Sequence, residues 1–195
     1  MLRRLSVALF LLCAPSTKAH ADWLFSPFIG TSFGAETSFL VFDEGAGRKL
    51  TFGGSVALIG SGILGIEADV GHTPGFFQGN DPSGLVLSSR VTTLSGNLMV
   101  AAPLAVTRES LRPYVVAGLG LMQARTKNAA DLFPVDRNLL GLTVGGGALG
   151  FLTERTGVRF DLRHIRAVSG TTNPFVPGVA RLRFWRATAG VTIRY

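Results

Sequence analysis

Residues 63–72 read Ile63-Leu64-Gly65-Ile66-Glu67-Ala68-Asp69-Val70-Gly71-His72. Drawn out as an extended chain, Leu64, Ile66, Ala68, Val70 and His72 fall on one side; Gly65, Glu67, Asp69 and Gly71 fall on the other. This period of two predicts a strand with unlike faces. The split recurs at 158–164, where Val158, Phe160, Leu162 and His164 oppose Arg159, Asp161 and Arg163. It recurs again at the C-terminus, where Trp185, Ala187, Ala189, Val191, Ile193 and Tyr195 oppose Arg186, Thr188, Gly190, Thr192 and Arg194. The polar faces hold mainly Gly, Thr, Ser and a few charges of both signs, not the abundant Lys and Glu of a wetted surface. Small and polar inside with apolar outside is the pattern of a barrel that crosses a membrane.

Working outward, eight such runs are predicted, at about 23–34, 49–59, 63–73, 90–102, 111–125, 138–151, 156–166 and 181–195. Most reach the roughly 9–11 residues that a tilted strand needs to cross a hydrocarbon layer. Long, turn-rich stretches follow the odd-numbered runs, at about 35–48, 74–89, 126–137 and 167–180. Shorter links follow the even ones, at Gly60-Ser61-Gly62 and at about 103–110 and 152–155. Long loops on one side and short turns on the other are the habit of bacterial outer-membrane barrels. The fold class expected is therefore all-β, an eight-stranded antiparallel up-and-down transmembrane barrel spanning 22–195. Closure answers the physical demand of lipid, where every backbone N–H and C=O must find a partner inside the protein. Gly118, Gly120, Gly145, Gly146, Gly147 and Gly150 are expected to make room in so narrow a barrel where inward side chains collide and where strands curve.

Composition agrees. The chain of 195 residues has 25 Gly, 47% hydrophobic residues and a mean hydropathy of +0.36, yet only 16% charged residues. Soluble domains carry about 25% charged residues, and disordered chains are richer still in charge. Beyond the N-terminus no apolar run approaches the roughly 20 residues of a spanning helix.

The N-terminus itself reads as a targeting segment. Arg3 and Arg4 precede the apolar run Leu5 to Ala14, Pro15 breaks it, and Ala19-His20-Ala21 has the small-x-small form of a signal-peptidase site. Cleavage is expected before Asp22, making residues 1–21 a signal peptide. The segment contains Arg3, Arg4 and Lys18 and no acid, so 19 basic residues less 3 leaves 16 against 12 acids, a net charge of +4. That is too little for nucleic-acid binding, which wants a concentrated basic stripe. The only cysteine, Cys13, leaves with the segment, and Leu12 before it is too large for a lipoprotein cut. No disulfide or thiolate chemistry is then expected.

The closing stretch Arg186-Ala187-Thr188-Ala189-Gly190-Val191-Thr192-Ile193-Arg194-Tyr195 ends on an aromatic residue, with apolar residues at alternate positions before it. It resembles the terminal strand by which outer-membrane proteins are recognised by the barrel assembly machinery, with Val191, Ile193 and Tyr195 as the signal. Most such strands end in Phe; here it is Tyr. With Trp23-Leu24-Phe25 opening the first run and Arg112-Pro113-Tyr114 the fifth, the mature chain resembles the OmpA/OmpX-type barrels. No peptidoglycan-binding domain is expected. The resemblance implies a place in the outer membrane, among its lipid and lipopolysaccharide, and a structural or surface-interaction role for a monomer.

Candidate functional residues follow from the strand faces. Glu67, Asp69, Arg159, Asp161, Arg163 and Arg186, with Lys49 near them in kind, are expected in the lumen. A plug of ion pairs is the first reading, because an eight-stranded interior is narrow enough for side chains to fill. An ion path or a buried catalytic group is the second. Trp23, Tyr114, Phe151, Trp185 and Tyr195 are expected in aromatic girdles at the two membrane surfaces. Phe76-Phe77 and Phe133-Pro134 are expected in exposed loops able to meet an extracellular ligand. Two rivals are set against this reading. Lipid A deacylases have a lipid-facing Ser-His pair, and Phe160 to Ser169 is similar to their His strand, but Arg166 stands where their serine would be. A soluble, exported lipid-binding barrel is the other rival. No cofactor is expected: His72 and His164 lack acids at ligand spacing, and the glycines of Gly118-x-Gly120 and Gly145-Gly146-Gly147 open no phosphate loop.

Overall fold

The computed structural model describes residues 21–37, 47–76, 86–107, 111–128, 135–168 and 182–195. Apart from Ala21, the expected targeting segment lies outside them, as do Phe77, Phe133 and Pro134. The strands are β1 (Ala21–Thr37), β2 (Lys49–Gly60), β3 (Leu64–Pro74), β4 (Val86–Ala101), β5 (Arg112–Asn128), β6 (Val135–Phe151), β7 (Thr156–Ala167) and β8 (Leu182–Arg194). A single helical turn, α1 (Leu104–Thr107), lies in the link between β4 and β5.

Each strand pairs antiparallel with its neighbours in chain order, and β8 returns to β1 to close the barrel. The seam finishes with a reciprocal pair of backbone bonds, Trp23 N–H to Tyr195 O at 3.3 Å and Tyr195 N–H to Trp23 O at 2.9 Å. No edge remains between first and last strand, which is what lets a sheet enter lipid.

Several strands run past their predicted ends on the side away from the termini. β1 reaches Thr37, β4 begins at Val86, β5 continues to Asn128, and β6 starts at Val135. Apolar alternation stops there, at Ser88, Arg90, Thr126, Lys127 and Asp136, yet the backbone ladder goes on through those residues. Alternation marks the part of a strand that meets lipid; hydrogen bonding needs no such contrast. The loop rhythm is correspondingly less regular than expected, since the link at 102–111 outlasts the one at 129–134.

Side-chain directions decide what the wall faces. Phe160 and Val191 are 56% and 48% exposed, while Glu67 and Arg186 are 4% and 2% exposed. Trp23, Phe25, Ile29, Leu94, Leu119 and Val144 are all exposed as well. An apolar belt therefore encircles a charged interior, the inverse of a soluble barrel.

Candidate functional site

The lumen is stacked in layers. At the turn end, Leu24, Ala57, Ile59, Met99, Tyr114, Val116 and Leu149 form an apolar cap. At the loop end, Phe76, Val91, Met122, Leu139, Ile165 and Phe184 form another. Between them lie the six expected charges, all buried.

Their spacing comes from the pleat. Arg159, Asp161 and Arg163 alternate in sign on one face of β7, each about 7 Å from the next. Asp161 accordingly binds both neighbours, with its carboxylate 2.7 Å from Arg159 Nε and 3.0 Å from Arg163 Nη2. β3 is four strands from β7 in either direction around the barrel, so the two stand on opposite walls. Side chains cross that diameter. Arg159 ion-pairs with Glu67, and Arg163 Nη1 lies 2.7 Å from Glu67 Oε1 and 3.4 Å from Asp69 Oδ2. From β8, Arg186 Nη2 reaches Asp69 Oδ1 at 2.6 Å. Three carboxylates thus meet three guanidiniums, and the belt is neutral. That balance is what burial demands, because an unpaired ion out of water costs several kcal/mol.

Neutral groups satisfy part of what remains, while Asn97 Oδ1 and Arg186 Nε have no hydrogen-bond partner among the described residues. Asn97 Nδ2 donates to Glu67 Oε1 at 2.9 Å, and Arg159 Nη1 donates to Ser55 Oγ at 3.0 Å. Arg159 Nε also donates to the Tyr114 hydroxyl at 2.7 Å, and its guanidinium lies 4.8 Å from that ring's centre. Arg186 stacks over Phe28 at 5.0 Å. Nearer the loop end, Ser32, Thr51 and Thr73 share their hydroxyls in a buried triangle. Lys49 sits on the inward register of β2 beyond that triangle, opposite Ser32.

Three expectations are corrected here. Tyr114 does not belong to a girdle: its parity on β5 is that of Arg112 and Val116, and it lies 5% exposed inside the lumen. Phe151 also points inward, against the turn-end cap, with the Arg194 guanidinium 3.7 Å from its ring centre. Phe76 is not a free loop residue but is buried edge-on against Phe184, ring centres 5.0 Å apart. Among the glycines, Gly118, Gly120, Gly145 and Gly147 face inward, whereas Gly146 and Gly150 hold the outward parity of β6. Trp23, Trp185, Val191 and Tyr195 face outward. Ile193 has the same parity, half-buried.

Arg112 was missing from the expected set. Buried at the turn end, it donates to Ala102 O at 2.8 Å and to the Gly60 and Gly62 carbonyls, tying two turns together. Its place beside Pro113 at a strand start was legible; its carbonyl partners, distant in sequence, were not. On the outer wall, His72 Nδ1 bonds Thr92 Oγ1 at 2.9 Å, and His164 packs on Trp185 with ring centres 4.9 Å apart. The ladder partners of His164 are Val144 and Trp185; neither is a serine. Among the described residues no group of three His, Cys, Asp or Glu could hold a metal.

A closed, eight-stranded, up-and-down barrel with a lipid-facing wall and a filled lumen is the OmpA/OmpX-type fold. Solved structures of that class superpose on almost the whole chain. Neisserial surface protein A gives a TM-score of 0.64 at 16% identity, over 89% of this chain and 97% of the other. The N-terminal barrel domain of Pseudomonas aeruginosa OprF gives 0.58 at 15% identity, over 91% and 100%. Ail, the attachment invasion locus protein of Yersinia pestis, in complex with the heparin analogue sucrose octasulfate, gives 0.54 at 12% identity, over 90% and 99%. At such identities the likeness is one of fold. No family model and no curated protein matches the chain.

Proposed function

We propose that this chain is an outer-membrane barrel with a closed interior, serving the envelope structurally or presenting its loops at the cell surface. The neutral six-charge belt, capped by apolar layers at both ends, carries the reading. An ion entering the lumen would meet a cap and then side chains already paired with each other. Two barrels of the same fold bear surface or attachment in their names, which supports a surface role.

The reading includes export by residues 1–21, recognition of Val191, Ile193 and Tyr195 by the assembly machinery, and a monomer with its loops outside. Lipid and lipopolysaccharide are its surroundings. It is a non-catalytic reading, supported by the apolar company of His164. Planar-bilayer recording on the purified barrel tests the closed lumen: the expected trace has no discrete steps, and a stable unitary conductance overturns it. Fatty-acid release from lipid A by the same preparation would revive the enzyme.

A further inference from the structure

On the outer wall of β6, β7 and β8 lies a groove of about 590 Å³, lined by Val144, Gly145, Gly146, Leu162, His164 and Trp185. That is within the usual range of small-molecule sites, about 300–1,000 Å³. Gly146 lacks a side chain between Val144 and Ala148 on the outward face of β6, and opposite it stands Leu162. The rings of His164 and Trp185, tilted at 55° with centres 4.9 Å apart, close the groove toward the loop end.

Two residues farther along the same strands, Arg166 on β7 stands directly opposite Arg183 on β8, both exposed. Like charges facing each other across a ladder are destabilising unless something answers them. Glu36 on β1 ion-pairs with Arg183. Among the described residues no carboxylate pairs with Arg166. Two arginines with one carboxylate, Glu36, between them thus sit one step of about 7 Å beyond an apolar groove, with a tryptophan at the boundary.

That sequence of apolar groove, interfacial ring and cation pair has the polarity of one lipid molecule. Guanidinium groups bind phosphate through paired, charge-assisted hydrogen bonds. The pair lies at the loop end, which faces the outer leaflet in the reading above. We propose that this wall binds a phosphorylated glycolipid of the outer leaflet, its acyl chain in the Gly146 groove and its phosphate on Arg166 and Arg183. The proposal rests on the membrane reading, and its test separates the two.

The chain has two tryptophans, so a Trp23→Phe variant leaves Trp185 as the sole reporter. It is reconstituted in vesicles of dibrominated phosphatidylcholine, whose bromines quench a tryptophan in contact with the chains, and diphosphoryl lipid A is titrated in. Trp185 is expected to be quenched, and lipid A to relieve quenching at a mole fraction about tenfold below that for random mixing. Adding Arg166→Ala and Arg183→Ala is expected to return relief to the random-mixing curve. Relief that follows random mixing with both arginines present overturns the site, as does relief unchanged by their removal. No quenching by brominated lipid at all overturns the membrane reading itself.

Discussion

Glu67 accepts hydrogen bonds from Arg159, Arg163 and Asn97 at once, and it does so from the wall opposite the two arginines. Removing one member of a buried ion set leaves the others charged and unanswered, a loss of about 3–5 kcal/mol. Glu67→Gln is therefore expected to lower the urea midpoint of the refolded barrel by that equivalent, while Glu154→Gln on an exposed turn leaves it unchanged. An equal midpoint for both would mean that the belt contributes nothing to stability. Room for the belt comes from missing side chains. A Cβ at Gly71 would fall upon the Arg186 guanidinium, and one at Gly147 would lie 2.6 Å from the Tyr114 hydroxyl. Tyr114 shows what sequence could give. An aromatic near a strand end reads as interfacial, yet Val115, Leu119 and Leu121 already shared the other parity.

At the level of elements, β3, β7 and β8 were legible because charge marks one face and nothing but apolar or ring residues marks the other. β5 was not, since Tyr114, Val116 and Met122 inside are as apolar as Val115, Leu119 and Leu121 outside. The two apolar caps erase the contrast wherever a strand passes through them. β1 hid a further feature. Its ladder to β8 shifts by a residue between Phe33 and Glu36, around Gly34 at φ +59°. The extra residue turns Ala35 toward the loop-end cap and Glu36 outward, opposite Arg183. A side chain in that left-handed conformation costs about 1–2 kcal/mol. Gly34→Ala is expected to destabilise the barrel by this amount and to weaken the Glu36–Arg183 pairing. Thermal unfolding in detergent, with and without Glu36→Gln, checks it; additive losses would separate the bulge from the ion pair.

For the whole molecule the governing question is which solvent the wall meets. Hydropathy of +0.36 with 16% charged residues is explained only if the apolar belt is covered by something other than water. Leu119 stands at the middle of β5, 56% exposed, between Gly96 and Leu142 on its neighbours. In water an arginine there would be a surface change worth within about 0.5 kcal/mol either way. At the midplane of a bilayer the same arginine costs about 2–4 kcal/mol, because its charge must be dragged to an interface or hydrated in place. Leu119→Arg is thus expected to lose about 2–4 kcal/mol when unfolded by urea from lipid vesicles. The penalty should shrink for an arginine nearer the loop end, as at Leu140, where the chain reaches an interface sooner. A flat profile between the two positions would leave the belt without a bilayer to explain it, and the soluble barrel would return.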